Sequence, residues 1–208
     1  MGDMRQGCVN TSHPSLRPEG SPRGTSKRGG YPRKIDGFGL IEQIVALIIL
    51  AVLAAAAVPS FANMLDRQEL NAAQNDYITA VLHARYLAVN DQVRIVFCPS
   101  SDGLTCNSNN AWSDGWLIGR DPSNKGQPDG VPLYVGGKYS RRLNIVGSGS
   151  RRSVRFQPDG TVGNSNQTLT ICLRNDASRA LSVVIARRGR VRGEVAKAAD
   201  AARCAGTD

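Results

Sequence analysis

Histidine is nearly missing from this chain, with two in 208 residues, and no H-E-x-x-H, C-x-x-C, P-loop or G-x-S-x-G pattern occurs. Zinc hydrolases, thioredoxin-like redox proteins, nucleotide-driven motors and α/β-type serine hydrolases each need such residues at fixed spacing, so none of those chemistries has a foothold here. Gly147-Ser148-Gly149-Ser150 lacks the lysine of a phosphate cradle and reads as a loop. No catalytic residue, metal ligand set or cofactor site is expected, and the chain reads as a non-enzyme. Aromatic residues are only 5% of the composition, which leaves little for base stacking of the kind that single-strand binders use. Charge is missing from one place in particular. Between Phe38 and Val58 the only ionisable side chain is Glu42.

As a helix, that apolar run is roughly 31 Å long, enough to cross a bilayer core. A carboxylate inside it costs about 2.5–3.5 kcal/mol at mid-membrane, so Glu42 needs a partner. Just before the run come Arg33, Lys34, Ile35, Asp36 and Gly37, basic residues followed by a small one. A secretory signal has a shorter apolar core, about 7 to 15 residues, with its cleavage site after that core. Here the small residue precedes the apolar run, so a cut after Gly37 keeps the helix in the product. This arrangement resembles the type IV prepilins and pseudopilins. The resemblance implies a membrane-embedded prepilin peptidase that cuts after Gly37 and methylates Phe38. It implies also that Glu42, fifth in the mature chain, assists assembly with other major and minor pilins.

The basic excess is uneven. Residues 131 to 208 hold 14 basic and 5 acidic side chains, whereas residues 38 to 130 hold 5 basic and 9 acidic. A polyanion would therefore meet the C-terminal half. Of five cysteines, Cys8 falls in the leader, leaving Cys98, Cys106, Cys172 and Cys204 in a segment placed outside the cytoplasm, where disulfides are the default. Three pairings are possible. Cys98 with Cys106 and Cys172 with Cys204 is favoured, because the first closes a short polar loop and the second ties down the tail.

Residues 1 to 36, rich in Pro, Gly, Ser and Arg, read as disordered, and their positive charge holds them on the cytoplasmic side. Beyond the membrane run, Leu70, Ala73, Tyr77, Val81, Ala84 and Ala88 recur at steps of three and four, with Ile78 and Leu82 widening the stripe. One helix from about residue 39 to about 91 is predicted, loosened or kinked at Pro59. His83 reads as a packing or surface residue. Strands are expected at 93–97, 116–119, 131–135, 141–146, 153–157, 168–173, 180–186 and 190–192, separated by Gly, Asn and Asp. The fold class is α+β and type IV pilin-like: one long N-terminal helix, its first half transmembrane, packed on a C-terminal antiparallel sheet or β-sandwich domain. The expected organisation is a leader over 1–37, a membrane and assembly helix over 38–59, an amphipathic helix over 60–91 and a β-rich domain over 92–208.

Trp112-x-x-x-Trp116, Phe156-Gln157-Pro158-Asp159-Gly160, the Ile171-Cys172 strand and Gly189-Arg190-Val191-Arg192 resemble the GspH/FimT family of minor pilins and pseudopilins. Some FimT-type members carry a C-terminal G-R-x-R associated with DNA binding and uptake, and Gly189, Arg190 and Arg192 match it. The resemblance thus implies that Arg190 and Arg192, helped by Arg187 and Arg188, bind extracellular double-stranded DNA in natural transformation. In an unbroken strand over 181–192, Arg188, Arg190 and Arg192 would share the outward face. A turn at Arg187-Arg188-Gly189 would instead put the extra arginines at a loop tip. Lys138, Arg141, Arg142, Arg151, Arg152 and Arg155 lie in segments that could neighbour this hairpin. Arginines also protect sheet edges from self-association, which is the plain alternative. Two other functional readings stay open: a minor pseudopilin of a type II secretion filament, and a pilus assembly initiator whose arginines meet an acidic pilin. The expected location is the inner membrane as a single-pass protein, leader cytoplasmic and globular domain periplasmic, then the pilus or cell surface.

Overall fold

The structure, a computed structural model, describes residues 39–149 and 152–206. Gly37 and Phe38, where cleavage and methylation are expected, lie outside the described residues, as does Arg151. The chain divides into two units, Met1–Ala46 and Leu47–Asp208. In the first, the described part is the start of helix α1 (Leu40–Asn90), with Glu42 in its first turn, where a carboxylate complements the helix dipole. The same helix carries a window of mean hydropathy 2.7, none of it buried, long and apolar enough by length and composition to span a membrane. The helix runs through Pro59 as one element.

In the second unit two antiparallel sheets pack on α1. One has the order β3-β2-β1-β5, from β1 (Ile95–Pro99), β2 (Trp116–Arg120), β3 (Tyr134–Gly136) and β5 (Val154–Phe156). The other has the order β4-β6-β7-β8, from β4 (Leu143–Gly147), β6 (Gln167–Leu173), β7 (Asp176–Ile185) and β8 (Val191–Val195). All six pairings in the two sheets are antiparallel. The apolar α1 residues that bury are Leu70, Ala73, Tyr77, Ala80, Val81, Ala84 and Ala88, a 3.6-period stripe facing the sheets. Tyr77 sits at the centre with no exposure. Its ring packs edge-on to Phe97 and Trp112 and stacks on Tyr139, and its hydroxyl donates to the Trp112 carbonyl at 2.6 Å. Trp112 and Trp116 are therefore core residues. His83 packs against the ring of Tyr134 at 4.4 Å, as a packing residue should.

The faces of the sheets turned away from α1 are closed by flaps. A short C-terminal helix, α2 (Ala198–Ala205), lies on β6 and β7, where Cys172, Ala180, Ala201, Cys204 and Ala205 form a small buried cluster. The Cys172–Cys204 disulfide holds it there, and the Asn144 side-chain amide donates to the Cys204 carbonyl at 2.7 Å. On the other sheet, the Cys98–Cys106 disulfide folds a polar loop over Val96 and Leu117. The tail is thus helical where no element was expected, and β7 starts at Asp176 rather than near 180, entered through Asn175 at φ 62°.

Each disulfide restricts the unfolded chain according to the loop it closes. The chain-entropy relation gives about 3–4 kcal/mol for a sequence separation of 32 and about 2–3 kcal/mol for a separation of 8. Replacing Cys172 and Cys204 with Ser is accordingly expected to lower the melting temperature more than replacing Cys98 and Cys106. Thermal unfolding of the two paired variants checks this, and equal or reversed losses would contradict it.

Candidate functional site

Gly189 and Arg190 of the G-R-x-R segment lie in the turn between β7 and β8, and Val191 and Arg192 begin β8. The Gly189 N–H donates to the Ala186 carbonyl at 2.8 Å and the Ala186 N–H to the Arg190 carbonyl at 2.9 Å, with Gly189 at φ 75°. This is a three-residue hairpin loop with a left-handed glycine. The turn geometry is therefore the one adopted, and the strand does not run unbroken through residue 188. Arg187, Arg188 and Arg190 are exposed at its tip, while Gly189 is buried.

A second turn of the same construction meets it. In Gln157-Pro158-Asp159-Gly160, the Gly160 N–H donates to the Gln157 carbonyl at 2.8 Å, the Gln157 N–H to the Thr161 carbonyl at 2.8 Å, and Gly160 has φ 76°. The two turns dock glycine to glycine. A Cβ on Gly189 would lie 1.9 Å from the Gly160 carbonyl oxygen, a distance no side chain survives. Arg85 of α1 donates from Nε to that same oxygen at 3.2 Å, and the Val162 N–H donates to the Arg187 carbonyl at 3.0 Å. Arg94 holds the far side of the turn through the Gln157 side chain at 3.1 Å. The glycine of the motif thus shapes the tip, and the arginines are what it presents.

Among the described residues no ion pair engages Arg187, Arg188 or Arg190. Arg192 differs: its Nε lies 2.9 Å from Glu194 Oε2, two residues along the same face of β8. The nearby Asp159 carboxylate accepts from the backbone N–H and hydroxyl of Thr161, and those bonds hold its pKa below the usual carboxylate range. Its support of the turn is therefore complete above about pH 4 and lost as pH falls through the lowered value.

The other basic residues separate in space. Arg142 pairs with Asp66 and lies 4.0 Å from Glu69, and Arg179 pairs with Asp176 at 3.1 Å and Asp66 at 3.7 Å. Asp66 and Arg85 are 19 residues apart on α1, roughly 28 Å along the axis. Arg141 and Arg142 therefore do not neighbour the Gly189 hairpin, as they could have done, because acids on the far end of the helix hold Arg142 and Arg141 lies beside it in the same cleft. Arg155 is closer: its backbone N–H donates at 2.9 Å to Ser165 Oγ, which in turn donates to the Val162 carbonyl. The bracing role of Arg85 has no signature in the sequence, because a single arginine beside an apolar helical stripe gives no signal of its tertiary partner.

Residues 73–189 match the family described as type II transport protein GspH. The chain belongs to the GspH family. Residues 32–58 match the prokaryotic N-terminal methylation motif, so this GspH-family chain is a minor type IV pilin or pseudopilin, a structural class. The motif implies processing by a prepilin peptidase and assembly with other pilins. In fold the chain is similar to the type IV minor pilin FimU of Pseudomonas aeruginosa, with a TM-score of 0.52, 20% identity, and coverage of 65% of this chain and 94% of FimU. The minor pseudopilin EpsH of the Vibrio cholerae type 2 secretion system aligns with a TM-score of 0.45 and 11% identity, covering 61% of this chain and 97% of EpsH. No curated protein matches the chain in sequence. The long helix with antiparallel sheets expected of a pilin is the fold observed.

If the glycine contact sets the tip, Gly189→Ala should cost about 2 kcal/mol or more, from left-handed strain together with the clash. Hydrogen exchange at residues 157–162 and 186–190 should rise with it. A variant of unchanged stability and exchange would show that the two turns are not mutually braced.

Proposed function

We propose that this GspH-family chain is a minor pilin that binds extracellular double-stranded DNA without sequence preference and supports its uptake in natural transformation. The observation that carries this reading is a hairpin tip with Arg187, Arg188 and Arg190 exposed and, among the described residues, free of ion pairs, built on Gly160 and Arg85. A rigid cluster of guanidinium groups suits phosphates, to which arginine donates in bidentate fashion. Capture is electrostatic, and pilus retraction by a separate motor does the transport. Residues 1–37 form the leader removed after Gly37, Phe38 becomes the methylated N-terminus, residues 38–59 anchor and assemble through Glu42, residues 60–91 form the amphipathic spine, and residues 92–208 form the DNA-facing domain. The anchor sits in the inner membrane with the domain in the periplasm, from where the subunit enters a pilus.

The type II transport description of the family favours a second reading, a pseudopilin whose tip faces another filament subunit or cargo. Filter or anisotropy binding of random-sequence duplex by the detergent-solubilised mature chain separates the two. Three or four phosphate contacts at the hairpin alone should make affinity fall by at least about 40- to 150-fold between roughly 50 and 200 mM salt. Because Glu194 already engages Arg192, Arg190→Ala should weaken binding more than Arg192→Ala, and Glu194→Gln should strengthen it. No binding by the wild-type chain at low salt would overturn the DNA reading in favour of the protein-facing one.

A further inference from the structure

The DNA reading accounts for the hairpin but leaves a second basic site unused, on the outer face of the β3-β2-β1-β5 sheet. A cleft of 370 Å³ there is lined by Cys106, Lys125, Gly126, Gln127, Arg152 and Arg155, among others, and no carboxylate lines it. We propose that this cleft is a second phosphate-binding site for the same duplex, so that DNA is held at two points on the domain; the inference rests on the DNA reading above.

The acids closest in sequence are already engaged in building the wall. Asp121 is fully buried and accepts the N–H groups of Lys125 and Gly126, both at 2.8 Å, while Asp129 accepts the Ser123 N–H at 3.0 Å. The turn they shape leaves the Lys125 side chain exposed. Opposite it, Gln127 and Cys106 exchange two hydrogen bonds, at 2.8 and 3.1 Å, and these tie the disulfide loop to the same wall. Arg155 is anchored by one donor only, Nη1 to the Asn124 side-chain oxygen at 3.0 Å. Its other guanidinium N–H groups, Arg152 and Lys125 meet no acid among the described residues.

The cleft and the hairpin are joined through short links. From Arg155 the path runs by one hydrogen bond to Ser165, through the turn Gly163–Ser165 to Val162, and by another hydrogen bond to Arg187. Three residues at about 2 Å of rise each, with those bonds of 2.9 and 3.0 Å, keep the two backbones within roughly 12 Å of each other. Over that length of axis a duplex presents about seven phosphate charges, so a single duplex is long enough to reach both sites. Arg142 and Arg179, neutralised by Asp66 at the other end of α1, have no part in it.

The test is anisotropy of a labelled duplex of about 24 base pairs with the full mature chain in non-ionic detergent, titrated across salt. Lys125→Gln/Arg152→Gln/Arg155→Gln should reduce the slope of log affinity against log salt by about 2.7, at one phosphate per cation, and weaken binding roughly tenfold or more near 100 mM salt. Arg152→Lys/Arg155→Lys should keep wild-type behaviour. Should the triple variant fail to fold, Lys125→Gln/Arg152→Gln leaves the Arg155–Asn124 bond intact and should reduce the slope by about 1.8. Wild-type slope and affinity in the folded cleft variants, with binding lost in Arg190→Ala/Arg192→Ala, would overturn the second site and leave the hairpin reading standing. Absence of binding by the wild-type chain would overturn both.

Discussion

Neither four-stranded sheet can bury its inner face alone; the stripe from Leu70 to Ala88 on α1 closes both. Its alanines at 73, 80, 84 and 88 are buried in the core it shares with both sheets, and Tyr77 packs its ring against Phe97, Trp112 and Tyr139 and satisfies its hydroxyl on the Trp112 carbonyl. Burial raises the pKa of that phenol well above its ordinary value, which keeps it a neutral donor. Everything else in the domain is placed by its position along this one spine.

The spine also sorts the charges. At its beginning Asp66 and Glu69 collect Arg142 and Arg179, so basic residues from β4 and β7 neighbourhoods are neutralised there. Near its end the helix offers Arg85 instead, which braces a turn rather than neutralising an arginine. The hairpin tip is left cationic by that asymmetry. The two disulfides act on the faces turned away from α1, each pinning a flap over a small apolar cluster, and the Cys98–Cys106 bridge keeps the loop beside the basic cleft in place. The edge strand β8 is protected by the same chemistry that makes the site, since Gln74 of α1 reaches over to the Ser182 and Glu194 carbonyls and arginine occupies the exposed face.

Much of this was legible. The stripe Leu70, Ala73, Tyr77, Val81, Ala84 and Ala88 is read from period alone and is the buried stripe, because a helix face is a local property. Strand positions followed from alternation and turn residues for the same reason. The second helix was not legible: eight Ala-rich residues are marginal as an isolated helix, and it is the distant Cys172 and Asn144 that fix it. Nor was the separation of arginines into paired and unpaired groups, since Arg142 and Asp66 are 76 residues apart and no local pattern links them. The role of Gly189 could be read only in part. A turn needs it, but the contact with Gly160 is tertiary.

The central claim is that the duplex meets the end of the domain where helix and turns leave arginines unpaired. Hydrogen exchange of the full chain with and without duplex DNA tests it most directly. Protection on binding should appear at residues 157–162 and 186–192, with residues 63–69 and 176–179 unchanged. Bound DNA that protects the Asp66 end of the helix while leaving the hairpin unaltered would contradict the account.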